Sequence, residues 1–224
     1  MSQLLRVLAF TSGVFLTAAN GQDPLKILPQ SYRLVFENPT VRVIRVSYAA
    51  HQRLPVHDHP RTPTIYVYLA DSGPVRFSHM ETPPFALVRP PEKAGTFRVS
   101  PGRLETHSVE NLGNIPSEFL RIELKQVPLK FQENSFRGAK PFDLKIGGTT
   151  SVFWSRPFRI ERVVSVNGKP VEIGNPDHPS LIVVFSDETD DWKTGQVYWM
   201  EAHRRIVIHS GSELPSHVLR IVFA

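Results

Sequence analysis

The chain has 224 residues, 41% of them hydrophobic, which is enough for one large or two small domains with their own cores. Its formal net charge is +5, and basic residues are interspersed with acidic ones, which argues against a nucleic-acid-binding stripe. It contains no cysteine, and this excludes disulfides, thiolate metal ligands and thiol nucleophiles.

The chain begins with a pattern typical of an exported protein. Arg6 precedes an apolar stretch from Val7 to about Ala19, and Ala19 and Gly21 fit the small-residue positions of a cleavage site. We therefore expect residues 1–21 to be a secretory signal peptide and the mature protein to be secreted or periplasmic. A buried N-terminal helix or an uncleaved anchor is the alternative. No other segment reaches spanning length, so we expect no membrane association after cleavage.

Beyond Pro29 the sequence predicts short β-strands separated by turns. Twenty prolines interrupt every candidate long helix. Segments with alternating polarity or with β-branched and aromatic residues occur at 40–48, 64–70, 95–101, 106–111 and 118–125. Strands at such short spacing are typical of a β-sandwich or barrel. Residues 126–150 lack this periodicity and are predicted to be a linker.

The second half of the chain repeats features of the first. Residues 38–71 and 155–187 share an Arg-x-x-Arg-Val start, an Asp-His-Pro triplet and an apolar run ending in Asp. Farther along, each half has a His-Ser pair followed by Leu-Arg-Ile. A repeat of this kind predicts two similar β modules, over residues 30–125 and 151–224, the second an abridged copy of the first.

His57 and His59 stand one residue apart in the first module. In a strand this spacing places both imidazoles on one face, because side chains alternate with a period of two. Neutral imidazole is the commonest metal ligand and binds several divalent ions. Two ligands do not make a tight site, and His107 is the candidate for a third.

These residues resemble the motifs of the cupin superfamily. The first motif of that family has His-x-His followed after three or four residues by Glu, and the second runs Gly, five residues, Pro-x-Gly, two residues, His, three residues, Asn. Gly95 and Pro101 have the first spacing of the second motif, and His107 and Asn111 have the last. The glycine of Pro-x-Gly falls one place early. The resemblance covers residues 50–111.

The resemblance implies an all-β fold of two cupin-like jelly-roll barrels in tandem, with a metal inside the first barrel. Carried over to this sequence, the metal ligands are His57, His59 and His107. The implied cofactor is a divalent metal, namely iron, manganese, zinc, copper or nickel.

The chain departs from the family pattern at the glutamate of the first motif. That residue would fall at Pro63 or Thr64, and neither can supply a carboxylate. Glu81, Glu105 or Glu110 could substitute, but only from positions outside the motif. The site would then hold three histidines and leave open positions for water or substrate, as catalytic metals require.

Strand parity predicts the wall of the pocket. If Thr64 takes the inward position of the missing glutamate, Tyr66 and Tyr68 also face inward and offer apolar walls with hydroxyl groups. The alternative is that they are ordinary strand aromatics on either face. Arg98 is either an anion contact or a solvated strand residue. Asn111 of the second motif is placed with the substrate pocket.

The second module keeps two of the three motif histidines. These are His178 and His209, and Asn175 or Pro176 stands where the third would be. Because two histidines make a poor site, we interpret the second barrel as structural. The remaining histidines match no motif and are expected at surface or core positions: His51, His79, His203 and His217.

Two hypotheses follow for the function. In the first, the chain is an exported, metal-dependent cupin enzyme, a dioxygenase or an isomerase or lyase of a small oxygenated organic molecule. In the second, it is a non-catalytic bicupin without metal that binds a small molecule or is structural. In either case the expected partner is a small-molecule ligand and not nucleic acid. A homodimer is possible, or the two modules pack on each other as an internal pseudo-dimer.

Overall fold

The structure, a computed structural model, describes residues 22–174, 177–186, 192–210 and 214–224. The predicted signal peptide and residues Asn175 and Pro176 lie outside this part of the chain. No helix among the described residues has the length and apolar character needed to cross a membrane.

The described residues form one short helix followed by strands. In chain order the elements are α1 (Pro24–Ile27), β1 (Tyr32–Glu37), β2 (Val41–Tyr48), β3 (Arg53–His59), β4 (Thr64–Tyr68), β5 (Val75–His79), β6 (Phe85–Arg89), β7 (Phe97–Ser100), β8 (Glu105–Asn111), β9 (Ser117–Leu124), β10 (Phe136–Gly138), β11 (Gly148–Trp154), β12 (Phe158–Ser165), β13 (Val171–Gly174), β14 (Ser180–Val184), β15 (Val197–Met200), β16 (Arg205–Ile208) and β17 (Ser216–Phe223). The prediction of an all-β fold is confirmed.

The first barrel is built from two antiparallel sheets that close over one core. The larger sheet has the order β1-β2-β9-β4-β7-β10, and the smaller has the order β3-β8-β5-β6. Side chains from both sheets meet in a single buried cluster, for example Val46 and Phe119 from the larger sheet and Leu54 and Val109 from the smaller. Period-two alternation sends every second residue of these strands into this interior.

The second barrel repeats this arrangement in a shorter form. Its larger sheet has the order β11-β12-β17-β14-β15, which matches the order of the first five strands of the larger sheet in the first barrel. Strands β13 and β16 pair as β3 and β8 do. Among the described residues no strand stands between β14 and β15, whereas β5 and β6 stand between β4 and β7 in the first barrel.

The two barrels pack against each other through the outer faces of their larger sheets. One apolar cluster joins Ile65 and Val67 of β4 to Ile160 of β12 and Leu181 of β14. The inner faces of the same strands line the barrels. Strands β4 and β14 are therefore buried on both sides, which explains why all five residues of each are buried and most are apolar or aromatic.

The segment predicted as a linker contributes to the first barrel. Within residues 126–150, strand β10 extends the larger sheet by pairing with β7, and β11 already begins at Gly148. Phe136 of β10 packs against Phe97 and Phe153, with ring centroids 5.8 and 4.9 Å away. A strand of three residues is too short to show a period of two, so the sequence pattern did not reveal it.

Candidate metal centre

The three motif histidines meet inside the first barrel. Strands β3 and β8 run antiparallel, and their register sets His57 directly opposite His107. His59 lies two residues farther along β3 and therefore points into the same interior. The ring centroids are 4.9 to 5.1 Å apart. One nitrogen from each ring lies within 4.8 Å of the other two, and all three side chains are buried.

Several ring nitrogens in this cluster have no hydrogen-bond partner. Both nitrogens of His107 and Nδ1 of His59 are buried and unbonded. His57 is held differently, because its Nδ1 lies 2.9 Å from the carbonyl of Pro55 and donates to it. That tautomer leaves Nε2 with a lone pair, which accepts from the Tyr32 hydroxyl at 2.9 Å. His59 and His107 thus have unbonded nitrogens, and Nε2 of His57 can bind a metal when the Tyr32 hydroxyl donates instead to the Tyr48 hydroxyl, which lies 2.8 Å away. The three residues therefore fit a metal.

The environment keeps these imidazoles neutral, as metal ligation requires. Burial is the largest cause in each case. It lowers the pKa of His57, lowers that of His59 well below its ordinary value, and lowers that of His107 to about 3, although Glu105 acts in the opposite direction on His107.

A fourth histidine, which the sequence pattern did not single out, lies beside this cluster. His79 on β5 is directly opposite His107, on the side away from His57, and the rings meet edge-on at 5.2 Å. Its Nδ1 lies 3.4 Å from a carboxylate oxygen of Glu81, and its ring stacks on Phe85 at 4.4 Å. His79 belongs to no sequence motif, and only the pairing of β5 with β8 brings it here.

None of the candidate carboxylates among the described residues joins the three-histidine group. Glu105 lies inside the barrel, where its carboxylate accepts a hydrogen bond from Nε of Arg103 at 3.0 Å. Burial alone would raise the pKa of Glu105, but Arg121, His107 and Arg103 outweigh it and lower the pKa to about 2. Glu81 lies beside His79, and Glu110 pairs with arginines on the outer side of the barrel.

Of the five predicted pocket residues, three line a cavity next to the histidines. These are Tyr66, Tyr68 and Arg98, and His59 and His107 line the same cavity. Counted out to its mouth the cavity has about 580 Å³ of free space, which suits a small molecule.

Thr64 and Asn111 do not line this cavity, although both were predicted to belong to the pocket. Thr64 is buried, but its hydroxyl donates to the carbonyl of Thr62 at 2.9 Å. The amide nitrogen of Asn111 donates to the carbonyls of Tyr48, at 3.2 Å, and Ile115, at 3.0 Å, among others, and its oxygen accepts from the backbone of Gly113. Asn111 therefore holds the loop after β8.

The interior of the second barrel is apolar where the first barrel has histidines. Ile173 of β13 and Ile208 of β16 are both in its core cluster. His178 is half-buried outside the strands and His209 is exposed. Of the other histidines that match no motif, His51 and His203 are exposed and His217 is half-buried.

Comparisons with known proteins support the fold. No family model and no curated protein sequence matches the chain. The solved structure of YhhW from Escherichia coli, a bacterial pirin in complex with nickel(II), is 14% identical with a TM-score of 0.60, over 86% of this chain and 90% of that one.

Two further structures extend the range of related proteins. A variant of oxalate decarboxylase from Bacillus subtilis is 12% identical with a TM-score of 0.53, over 86% of this chain and 73% of that one. Procruciferin, an 11S globulin from Brassica napus, is 8% identical with a TM-score of 0.55, over 83% of this chain and 76% of that one.

The fold and the histidine cluster define a double-barrel β protein with a candidate metal site in one barrel. The structures that it resembles are members of the cupin superfamily. The chain has the cupin fold in its two-barrel form, which confirms the resemblance read from the motifs. At these identities the likeness concerns the fold alone, and the function has to be argued from the site.

Proposed function

We propose that this chain is a metal-dependent cupin enzyme that binds a divalent metal through His57, His59 and His107 and acts on a small oxygenated organic molecule. One observation carries the proposal: ring nitrogens of His59 and His107 are buried without a partner beside a cavity. An unpaired buried polar group costs about 1–3 kcal/mol, and a metal bound to these nitrogens would offset that cost.

The surrounding residues suit such a site. The carbonyl of Pro55 fixes the ring of His57, as backbone partners of metal-ligating histidines commonly do. Tyr66, Tyr68 and Phe119 line the cavity and keep bulk water away from the reacting molecule. A metal held by three neutral ligands keeps its positive charge and open positions, so it would act as a Lewis acid or as an oxygen-binding centre. Both isomerase or lyase chemistry and dioxygenase chemistry need these properties.

One observation favours the second hypothesis, a non-catalytic bicupin that binds a small molecule or is structural. The position of the usual glutamate is taken by Pro63 or Thr64, and the Thr64 hydroxyl is occupied by the Thr62 carbonyl. A site without a carboxylate lacks one negative charge that helps to retain a divalent cation. This hypothesis predicts no metal and no effect of His57→Ala on ligand binding.

The metal content of the purified protein decides between the metal-dependent enzyme and the non-catalytic bicupin. The protein is purified without a histidine tag, and its metals are measured by mass spectrometry beside a His57→Ala/His107→Ala double variant. His209→Ala is the matched control, because it removes an exposed histidine from the second barrel. Circular dichroism checks that each variant is folded, and His107→Gln serves as a milder second variant.

We expect close to one metal per chain in the wild type and in the control, and none in the double variant. The proposal fails if the wild type holds no metal even after reconstitution with iron, manganese, zinc, copper and nickel. It also fails if a folded double variant keeps its metal.

We also propose that the protein is exported, on the strength of the charged, apolar and small-residue order of residues 1–21. Expression of the full chain in a bacterial host should yield a periplasmic product whose mass corresponds to a start near residue 22. A cytoplasmic product of full mass would contradict this. Dimerisation through a second copy is a separate proposal, which light scattering of the purified protein tests.

A further inference from the structure

A row of charged and aromatic side chains crosses the inner face of the larger sheet of the first barrel. On four neighbouring strands, β10, β7, β4 and β9, the register sets Arg137 opposite Arg98, Arg98 opposite Tyr66, and Tyr66 opposite Arg121. Residues that are directly opposite share a face of the sheet. Three arginines therefore point to the same side, which concentrates positive charge there.

Two of the three arginines have carboxylate partners. Arg121 donates from Nε to Glu123 at 3.0 Å, and its Nη1 lies 3.7 Å from Glu105. Arg137 pairs with Glu92 at 3.0 Å. Their charges are compensated within the protein, so both are explained by the fold alone.

Arg98 has no such partner. It is only 9% exposed, its Nε is buried without a hydrogen bond, and no carboxylate of the described residues pairs with its guanidinium. Its guanidinium lies over the ring of Tyr66, whose centroid is 4.1 Å from the guanidinium carbon. Neighbouring Arg89 also lacks a carboxylate partner among these residues and contacts the ring of Phe77. Buried charges are normally paired, so an unpaired one calls for a partner from outside the chain.

Arg89 and Arg98 stand between two cavities. On one side is the inner cavity with the histidines. On the other is an outer cleft with about 790 Å³ of free space counted to its mouth. Arg103 and Arg137 also line this cleft, although each is paired with a glutamate, Glu105 and Glu92 respectively. No acidic residue of the described part of the chain lines the cleft, so the two unpaired arginines leave it positively charged, and such a cleft attracts small anions and guides them inward.

We propose that Arg98, assisted by Arg89, binds the carboxylate group of a small organic acid that enters through the outer cleft and reaches the histidine cluster. The proposal deepens the proposed function, because it names the substrate class of that site. The planar guanidinium matches the two oxygens of a carboxylate. The aromatic walls of the inner cavity favour a planar carboxylate on an apolar carbon body over a tetrahedral phosphate, which has no apolar surface to pack against them.

A bound metal would strengthen the preference of the site for a negatively charged carboxylate. Three neutral imidazoles do not cancel the charge of a divalent ion, and the carboxylate that cupin metals usually have is missing. A negatively charged substrate would supply the missing charge.

The second barrel serves as an internal reference for this assignment. Where the first barrel has Tyr66 opposite Arg98, the second has Ile182 opposite Tyr198. At the position equivalent to Arg121 the second barrel has Arg220, whose Nη1 lies 3.2 Å from a carboxylate oxygen of Glu161. The unpaired arginine thus belongs to the barrel with the histidine cluster, and the fold does not require it.

Isothermal titration calorimetry tests the proposal directly. The probes are acetate, malonate and benzoate, with malonamide as a neutral analogue of malonate and inorganic phosphate as the competing anion. Each is titrated into the protein as purified and after treatment with a chelator. The variant is Arg98→Gln, and Arg33→Gln is the control, because Arg33 is an exposed arginine of the same barrel whose loss changes the net charge equally.

We expect at least one carboxylate to bind the wild type, and Arg98→Gln to weaken that binding at least tenfold while Arg33→Gln changes it less than twofold. Metal content should be the same in all three proteins. The proposal is overturned if no carboxylate binds, if Arg98→Gln binds as tightly as the wild type, or if malonamide binds as well as malonate. Tighter binding of phosphate than of every carboxylate would refute the substrate class. Carboxylate binding that depends on Arg98, in a protein that takes up no metal even on reconstitution, would uphold this inference and refute the metal proposal.

Discussion

Arg98 and Arg121 flank Tyr66 in the same row, and replacing each with methionine should have very different effects on stability. Arg121 is 3% exposed and holds Glu123 and Glu105. Breaking a buried ion pair from one side costs about 3–5 kcal/mol. For a chain of this size about 1 kcal/mol shifts Tm by ~2–4 °C, so Arg121→Met should lower Tm by roughly 6–20 °C.

Arg98→Met removes a buried guanidinium that no carboxylate compensates. An unsatisfied buried polar group costs about 1–3 kcal/mol, whereas the lost cation–π contact with Tyr66 contributes about 1–2 kcal/mol. The methionine chain keeps the packing of the arginine stem. The balance lies between about 1 kcal/mol against and about 2 kcal/mol in favour of the variant, so Tm should change by only a few degrees in either direction, less than in Arg121→Met.

Differential scanning calorimetry measures both changes in chelator-treated protein, in a buffer free of small carboxylates and phosphate. Adding the best-binding carboxylate should then raise the Tm of the wild type but not that of Arg98→Met, because a ligand stabilises only the protein that binds it. If Arg98→Met lowers Tm as much as Arg121→Met does, Arg98 is a structural residue and the reasoning from its unpaired charge is wrong.

Three further predictions test other parts of the structure. Asn111→Ala should destabilise the protein by about 2–4 kcal/mol in urea titrations without changing metal content, whereas exposed Asn114→Ala should change stability by less than about 0.5 kcal/mol. Ile160→Ala, in the core between the barrels, should cost about 2–5 kcal/mol and leave a single unfolding transition, and two separate transitions would contradict a shared core. His79→Gln should keep its metal whereas His107→Gln loses it, and loss of metal from both would make His79 a ligand.

The sequence predicted the parts of the site that depend on local pattern. The His-x-His spacing fixes both rings on one face of β3, and the same parity sends Tyr66 and Tyr68 inward. The motif spacing also pointed to His107. The sequence did not decide whether Arg98 is an anion contact or a solvated strand residue. Its burial inside the barrel excludes the solvated alternative.

The parts that the sequence did not predict depend on pairing between distant strands. His79 faces His107 only through the register of β5 against β8, and Tyr32 reaches His57 from a strand at the start of the barrel. Neither residue belongs to a motif. Asn111 illustrates the reverse case, because its place in a motif suggested the pocket whereas its hydrogen bonds hold a loop. A residue can thus occupy a motif position because its side chain holds the backbone in place, and not because it contacts a ligand.

The two barrels together explain how the first can hold so many uncompensated polar groups. Unbonded ring nitrogens and an unpaired arginine weaken its interior. The centre of the outer face of its larger sheet is nevertheless buried against the second barrel, where Ile65, Val67 and Leu181 are all inaccessible to solvent. Burial of apolar area at this interface contributes about 25 cal/mol per Å², which opposes the cost of the unfavourable interior. The second barrel thus contributes to the site without a ligand of its own, because it supplies the stability that a polar pocket lacks.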